Sequence, residues 1–255
     1  MVGIRASFPE EKGYDWFNFL KSLETLERIE VAFYRPEVFR KISIDKVIHP
    51  FEHLKIKVSS VHMAHERITK PNEFFETLTK TVAIAKRLRC ENIVIHPSNA
   101  KLEDIKGFIE QKINPLLEKE EIYICWETFA GKRRFLSGIE EIVEFCKGQT
   151  RYFACYDFSH LLKPQESVIS EIREYLNFIR IFHLSNWSEQ RQHLPVFTEE
   201  GSLDFKIILR VLKQEEFKGD LILEYLPEFH RKLIKDCLKV KKMLENSYAI
   251  EIVPK

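Results

Sequence analysis

The sequence alternates short apolar runs with longer segments of helical pattern, and this alternation repeats eight times. Successive runs lie roughly 30 residues apart, which is the length of one strand–helix–strand unit. Most runs are continuously apolar, as in the letters IYICW at 122–126. Strands of this kind are buried on both faces in a parallel sheet. The predicted strands are Gly3–Phe8, Arg28–Tyr34, Lys55–His62, Asn92–Pro97, Ile122–Thr128, Arg151–Phe158, Ile179–Ser185 and Asp220–Tyr225.

Eight units without a linker or a low-complexity break predict an α/β fold, a single (β/α)8 TIM barrel that spans 1–255 as one domain. A doubly wound sheet is the alternative, but it usually has fewer units and a glycine-rich first turn. Asn72 is predicted to be the N-cap of the helix before the fourth strand. Ser202 is predicted to cap the helix that contains Phe205 and Leu209. The one long connection, 186–201, has the length of a binding loop or lid.

The composition excludes several classes of function. The 40 Lys and Arg residues balance 39 Asp and Glu residues, so the net charge of +1 gives no overall attraction to nucleic acid. With only 8 glycines, the chain has no G-x-G-x-x-G or P-loop motif. No apolar run is long enough for a membrane span, and the first residues form no signal segment, so we expect a cytoplasmic protein. The 5 scattered cysteines are expected to be reduced thiols.

Six of the eight predicted strands end in a histidine or a carboxylate. In a TIM barrel the carboxyl ends of the strands face the active site. A carboxylate at the end of an apolar strand is costly to bury unless it is paired or binds a metal. The strand ends therefore predict a functional site. Its residues are His62, His96, Glu127, Asp157, His183 and Glu224.

Each of these residues, taken alone, also has a structural interpretation. His96 can be a hydrogen-bonded structural residue, and Glu127 can pair with Arg133 or Arg134. Asp157 can cap the helix that follows it. Repetition across four strands favours the functional interpretation for the set Glu127, Asp157, His183 and Glu224.

Short motifs at these strand ends resemble a known family over essentially the whole chain. They are WETFAG at 126–131, DFSH at 157–160, HLSN at 183–186, HLP at 193–195 with EG at 200–201, and LE at 223–224. In this order they resemble the xylose isomerase-like barrels. That superfamily includes sugar and sugar phosphate isomerases and epimerases, and also the endonuclease IV-like nucleases of AP endonuclease family 2.

The resemblance implies a divalent metal held by Glu127, Asp157, His183 and Glu224. Three carboxylates and one imidazole suit Mn, Mg or Co and tolerate Zn. In the isomerase interpretation the metal polarises a sugar carbonyl and stabilises an enediolate.

The resemblance also implies roles for individual side chains in that reaction. Glu127 and Glu224 would be catalytic, one removing a proton and the other returning it. His160 and His193 would hold substrate hydroxyls, and Glu30 and Arg5 are further candidates for the same role.

The nuclease branch of the family implies additional metal ligands. Its zinc cluster has ligands at the positions of His62, His96, His160 and His193, all of which are present. The ninth ligand of that pattern is an aspartate, and this chain has Arg191 there. A cation at that position should repel a third metal ion.

We therefore predict a divalent-metal-dependent isomerase or epimerase of a small-molecule sugar, with nucleic acid as a partner only in the nuclease alternative. That alternative is an endonuclease IV-like zinc-dependent phosphodiesterase acting on abasic DNA. A second alternative is a barrel that binds sugar without catalysis. The loop after the eighth strand, 225–228, is acidic and has no glycine, so a phosphorylated sugar is not specifically predicted. The sequence makes no prediction of the oligomeric state.

Overall fold

A computed structural model describes residues 1–9, 15–26, 28–130 and 136–245 of the chain. Over these residues eight parallel strands form a closed barrel in the order β1 to β8, with β1 pairing with both β2 and β8. This confirms the predicted (β/α)8 TIM barrel. The strands are β1 Val2–Ser7, β2 Arg28–Ala32, β3 Lys57–His62, β4 Asn92–Ile95, β5 Tyr123–Glu127, β6 Tyr152–Asp157, β7 Ile179–Leu184 and β8 Asp220–Leu223.

Helices fill the connections between the strands and pack around the barrel. In the described part of the chain they are α1 Trp16–Ser22, α2 Pro36–Phe39, α3 Ile44–Ile48, α4 Pro71–Arg87, α5 Leu102–Phe108, α6 Asn114–Glu120, α7 Ile139–Cys146, α8 Phe158–Leu161, α9 Gln165–Tyr175, α10 Phe205–Gln214 and α11 His230–Glu245. A π-helical turn, Ile109–Ile113, joins α5 to α6, and short 3-10 turns lie at His49–Glu52, Leu176–Phe178 and Pro227–Phe229. None of the helices within these described ranges has the length and apolarity that crossing a membrane requires.

The inside of the barrel is apolar beneath the predicted site. Each of five strands contributes one fully buried side chain to a separate interior cluster. Each of these residues precedes a strand-end histidine or carboxylate by two positions, so it points to the same side of its strand. The apolar layer therefore supports the polar layer above it. Its members are Val94, Cys125, Cys155, Ile181 and Ile222.

The predicted strands run slightly too long at their carboxyl ends. All except β3 stop one or two residues earlier, because strand pairing ends before the apolar run does. As a result His96 follows β4, and Glu224 follows β8, instead of lying within a strand.

Both predicted helix caps are wrong. The helix α4 begins at Pro71 with Lys70 as its N-cap, so Asn72 already lies in the first turn. Proline is favoured at the first helical position because its missing N–H needs no partner there. In α10 the cap is Asp204, whose side chain accepts a hydrogen bond from the backbone N–H of Lys206, and Ser202 lies upstream of it.

Candidate metal centre

The predicted metal ligands converge at the carboxyl end of the barrel. Glu127 and Asp157 end β5 and β6, His183 is the penultimate residue of β7, and Glu224 follows β8. One donor atom from each of the four residues lies within 4.8 Å of the others. The first three side chains are fully buried, and Glu224 is 9% exposed. The parallel pairing of β6 and β7 places Asp157 beside His183 at the carboxyl end of the barrel.

Glu127 lies at the centre of this arrangement and contacts several imidazoles. His183 Nδ1 donates to its Oε1 at 2.8 Å, and His62 Nε2 donates to its Oε2 at 3.1 Å. His96 Nε2 lies 2.5 Å from the same Oε2. Burial alone would raise the pKa of Glu127, but His96 and His183 outweigh it and hold that pKa well below the usual value. The carboxylate form of Glu127 is therefore favoured, and imidazole contacts cover both of its oxygens.

Asp157 combines the two roles that the sequence left open, because it caps α8 and also faces the site. Its Oδ1 accepts from Ser159 N at 2.7 Å, from Ser159 Oγ at 2.8 Å and from His160 N at 2.9 Å. Burial opposes ionisation, yet His160 and His193 lower the pKa of Asp157 below its usual value. Its second oxygen, Oδ2, remains directed toward the other ligands, 3.8 Å from His183 Nδ1.

His183 presents its two ring nitrogens to different groups. Nδ1 faces the ligand carboxylates, at 2.8 Å from Glu127 Oε1 and 3.4 Å from Glu224 Oε2. Nε2 donates to Glu30 Oε2 at 3.2 Å. Burial disfavours charge on the ring, but the Cys155 sulfur and the carboxylates of Glu30 and Glu127 raise the pKa of His183 well above its usual value. Nδ1 is the nitrogen that faces the other predicted ligands, and Arg5 Nη2 lies 3.1 Å from it.

Arg5 and Glu30 form a buried ion pair behind the four residues. Arg5 Nε donates to Glu30 Oε1 at 2.8 Å, and Arg5 Nη1 donates to Glu224 Oε1. Ser60 Oγ donates to Glu30 Oε2 at 2.6 Å. Burial opposes the charge of Arg5, but Glu224 and Glu30 raise its pKa well above the usual value. The two residues contact the predicted ligands directly, whereas the sequence had suggested them only as candidates for holding hydroxyls.

Two groups rich in histidine adjoin the four predicted ligands. In each group, one donor atom from every residue lies within 4.8 Å of the others. One group is Asp157, His160 and His193, and the other is His62, His65 and His96. The rings of His65 and His96 are 3.9 Å apart between centroids. Sequence reasoning missed His65. The signal for it is the three-residue spacing from His62, which places both imidazoles on one short segment.

The long connection after β7 folds back and carries His193 into the site. Asn186 and Leu194 form an antiparallel bridge with backbone hydrogen bonds of 2.8 and 2.9 Å. His193 itself has φ of 54°, a left-handed conformation that is uncommon for residues other than glycine. Its Nε2 lies 3.0 Å from His160 Nε2. The loop thus completes the histidine pair at the mouth of the barrel.

Arg191 points away from this histidine pair. Its Nη1 donates to Glu228 Oε1 at 3.2 Å, and both side chains are more than half exposed. The predicted alternative partners of Glu127, Arg133 and Arg134, lie outside the described residues, as does Gly131 of the quoted motif.

The site contains buried donor atoms that a metal ion would satisfy. Several buried polar atoms of the site have no hydrogen-bond partner among the described residues, although other site atoms lie near them. Buried polar atoms normally have partners, so such atoms at a convergent site fit a ligand. They belong to the predicted ligands and to the adjoining histidine groups. The atoms are His96 Nε2, Asp157 Oδ2, His160 Nδ1 and Glu224 Oε2.

Comparison with protein families agrees with this architecture. The model of the xylose isomerase-like TIM barrel family matches residues 10–240. The chain belongs to this family. A comparison with curated protein sequences returned no significant match.

Solved structures of proteins with different activities have the same fold. Endonuclease IV from Thermus thermophilus has a TM-score of 0.70 at 15% identity, covering 94% of this chain and 98% of that one. The 3-keto-D-glucoside 4-epimerase of E. coli has a TM-score of 0.69 at 10% identity, with the same coverage of both chains. A D-tagatose 3-epimerase-like protein has a TM-score of 0.68 at 16% identity, covering 96% and 95%. At these identities the likeness establishes the fold of the xylose isomerase-like chain and leaves its reaction open.

Proposed function

We propose that this protein is a divalent-metal-dependent isomerase or epimerase of a small sugar or sugar phosphate. The observation that carries the proposal is the convergent donor set of Glu127, Asp157, His183 and Glu224, within 4.8 Å of one another at the carboxyl end of the barrel. Membership of a superfamily of sugar isomerases, epimerases and endonuclease IV-like enzymes supports it.

The chemistry of the donors favours Mn, Mg or Co, with Zn also tolerated, because three of the four donors are carboxylate oxygens. A bound ion of this kind would polarise a substrate carbonyl and stabilise the negative charge of an enediolate.

The two catalytic carboxylates are not equivalent in this proposal. Glu224 keeps Oε2 without a hydrogen-bond partner among the described residues, and its side chain is 11% exposed. Glu127 is fully buried, with hydrogen bonds from His62 and His183. A general base must reach the proton that it removes. We therefore assign the first proton abstraction to Glu224, through the second lone pair of Oε2, because Arg5 Nη1 binds Oε1. Glu127 returns the proton, and a bound metal or substrate must first displace the imidazoles that contact it.

Other side chains of the mouth would bind the sugar. His160 and His193, 3.0 Å apart at their Nε2 atoms, are placed to hold substrate hydroxyls. Imidazoles suit this role because each ring nitrogen can donate or accept a hydrogen bond.

Metal binding is the first test. Metal-free protein is titrated calorimetrically with Mn²⁺ as wild type, as Asp157→Asn and as the control Asp220→Asn, which alters a buried carboxylate at the start of β8. We expect Asp157→Asn to weaken binding by more than the roughly 10- to 100-fold typical of a lost supporting contact. The control should bind like wild type. Equal, poor binding by all three proteins contradicts the metal site.

The reaction itself is tested by isotope exchange. Metal-loaded protein is incubated in D₂O with a panel of sugars and sugar phosphates, and deuterium at carbon is measured by mass spectrometry. Glu224→Gln should slow exchange by about 10²- to 10⁴-fold because it removes the general base. Sugar binding without any exchange would instead support the non-catalytic sugar-binding barrel.

A metal-dependent phosphodiesterase acting on abasic DNA is the second candidate, and the two adjoining histidine groups favour it. Multi-metal sites stabilise both the attacking and the leaving oxygen of a phosphodiester. This candidate requires two or three zinc ions per chain in an anomalous-scattering experiment. It also requires cleavage of an abasic duplex that His96→Ala abolishes. A single ion and an uncut duplex favour the isomerase.

A further inference from the structure

In two of the predicted carboxylate ligands, one oxygen accepts hydrogen bonds from the protein and the other accepts none from the described residues. In Asp157, three hydrogen bonds from Ser159 and His160 hold Oδ1, and Oδ2 has no partner among the described residues. In Glu224, Arg5 Nη1 donates to Oε1, and Oε2 has no hydrogen-bond partner among the described residues. Each of these side chains therefore offers one oxygen toward the other ligands.

The group that holds Glu224 is unusual because it is a buried cation. The Arg5 side chain is 4% exposed and Glu30 is fully buried. Glu30 holds Arg5 through Nε, and Ser60 and His183 in turn hold Glu30. Two carboxylates thus hold the guanidinium, and it cannot swing away without removing the cationic partner of each in the barrel interior.

The number of oxygens that a carboxylate offers discriminates between metal ions. Calcium takes six to eight oxygen ligands and often binds both oxygens of one carboxylate, whereas magnesium demands a smaller octahedral shell. A glutamate with one oxygen bound to arginine cannot bind an ion through both. The Arg5 guanidinium therefore disfavours calcium binding by Glu224 and keeps coordination positions of the metal open for substrate oxygens.

We propose that Arg5 is a specificity-determining positioning residue, which holds Glu224 to one metal-facing oxygen and so biases the site toward Mn²⁺ over Ca²⁺. This inference rests on the proposed metal site. Arg5 acts through the predicted ligands: its Nη1 binds Glu224, and its Nη2 lies 3.1 Å from His183 Nδ1. A purely structural role, balancing the charge of Glu30, would stabilise the barrel without changing which ion is preferred.

The experiment compares Mn²⁺ and Ca²⁺ affinity by calorimetry in metal-free protein. Because Arg5→Met alone removes the guanidinium partner of the buried Glu30 carboxylate, the main variant is the double substitution Arg5→Met with Glu30→Met, which removes both charges together. Arg5→Lys, which keeps one cationic donor for Glu224, is the conservative variant. The matched control removes another ion pair, Arg28 with Asp220, by changing both residues to Met.

We expect the ratio of Mn²⁺ to Ca²⁺ affinity to fall about 10-fold or more in the Arg5/Glu30 double variant, the scale typical of a lost supporting contact. Arg5→Lys should retain most of the wild-type ratio, and the Arg28/Asp220 control should retain all of it. Melting temperatures verify that every variant is folded.

The outcomes separate this inference from the proposed function. If wild type binds neither ion, the metal site and the role of Arg5 both fail. If wild type binds Mn²⁺ and the folded double variant keeps the wild-type ratio, the role of Arg5 alone is overturned. A reduced ratio in the Arg28/Asp220 control equal to that of the Arg5/Glu30 variant would also overturn it.

Discussion

At the scale of single residues, Tyr225 connects three parts of the chain beside the candidate site. Its hydroxyl accepts a hydrogen bond from the backbone N–H of Val196, at 3.0 Å, and donates to Asp236 Oδ2 at 3.1 Å. The partners belong to the long loop after β7 and to α11. Since Tyr225 follows Glu224 directly, this pair of bonds also holds the carboxyl end of β8 in place.

The first prediction concerns Asp236 and pH. Burial raises the pKa of Asp236 above its usual value, although the Tyr225 hydrogen bond and nearby lysines act in the opposite direction. A raised carboxyl pKa gives stability that is complete below the unfolded-state pKa and is lost as pH rises through the folded-state pKa. We expect the melting temperature of Asp236→Asn, relative to wild type, to be higher at about pH 7 than at about pH 4. Calorimetric melting at both pH values measures the difference.

Tyr225→Phe serves as the matched variant for this prediction. It removes the hydroxyl that lowers the pKa of Asp236. Its stability should therefore fall over a range that extends to higher pH than in wild type. Tyr225→Phe should also lower the free energy of unfolding by about 1–3 kcal/mol, because the N–H of Val196 loses its buried hydrogen-bond acceptor. If the melting temperatures of Asp236→Asn and wild type differ by the same amount at both pH values, the pKa of Asp236 is not raised.

The site residues differ in how far the sequence predicts them. Glu127, Asp157 and His183 were predictable because a polar residue that ends an apolar strand has one place to go in a parallel barrel. The contacts of Arg5 and Glu30 were not predictable to the same degree. These two residues lie within β1 and β2, and their meeting depends on the register that pairs them across the strands. Strand register is a tertiary property, so local pattern does not reveal it.

At the scale of elements, the close approach of β1 and β2 depends on Gly3. A Cβ atom built there would lie 2.7 Å from the carbonyl oxygen of Arg28 and 3.0 Å from its carbonyl carbon. Both are backbone atoms of the adjacent strand, so they cannot move aside as a flexible side chain would. The strand pair that carries Arg5 and Glu30 is therefore in register only if residue 3 has no side chain.

We predict that Gly3→Ala destabilises the protein by about 1–3 kcal/mol, as overpacking typically does. Gly107→Ala is the control with the opposite expected sign. Gly107 is an exposed residue within α5, and its added Cβ would meet only a side-chain atom of Gln111 at 3.9 Å. Alanine there should stabilise by about 0.5–1 kcal/mol. Urea unfolding measures both changes, and equal effects of the two substitutions would contradict the role of Gly3.

Helix boundaries illustrate why some element-level predictions failed. Near the start of α10 the chain offers two capping residues, Ser202 and Asp204, within three positions. Both types of side chain are good N-caps, and local propensity does not choose between them. Tertiary contacts do choose, because the Asn186 side chain binds both the N–H and the carbonyl oxygen of Leu203 and keeps that residue outside the helix. The contact that decides is again distant in sequence.

At the scale of the whole molecule, the candidate site joins strands from all around the barrel. The four predicted ligands come from β5, β6, β7 and the end of β8, and the groups that support them come from β1, β2 and β3. An ion bound there would contact the native arrangement only, because the unfolded chain does not bring these strands together. Binding to the native state alone stabilises a protein by mass action.

We therefore predict that Mn²⁺ stabilises wild type by about 2.7 kcal/mol at a free concentration of roughly 100 times its dissociation constant. Asp157→Asn should lose this gain. Without metal, the variant should melt below the wild-type temperature, because the lowered pKa of Asp157 means that its charged carboxylate stabilises the folded state. Melting curves of both proteins with Mn²⁺ and with a chelator measure the metal-dependent gain of each. Equal stabilisation of the two proteins by Mn²⁺ would show that the ion binds elsewhere on the surface, since a site that includes Asp157 must respond to the loss of its charge.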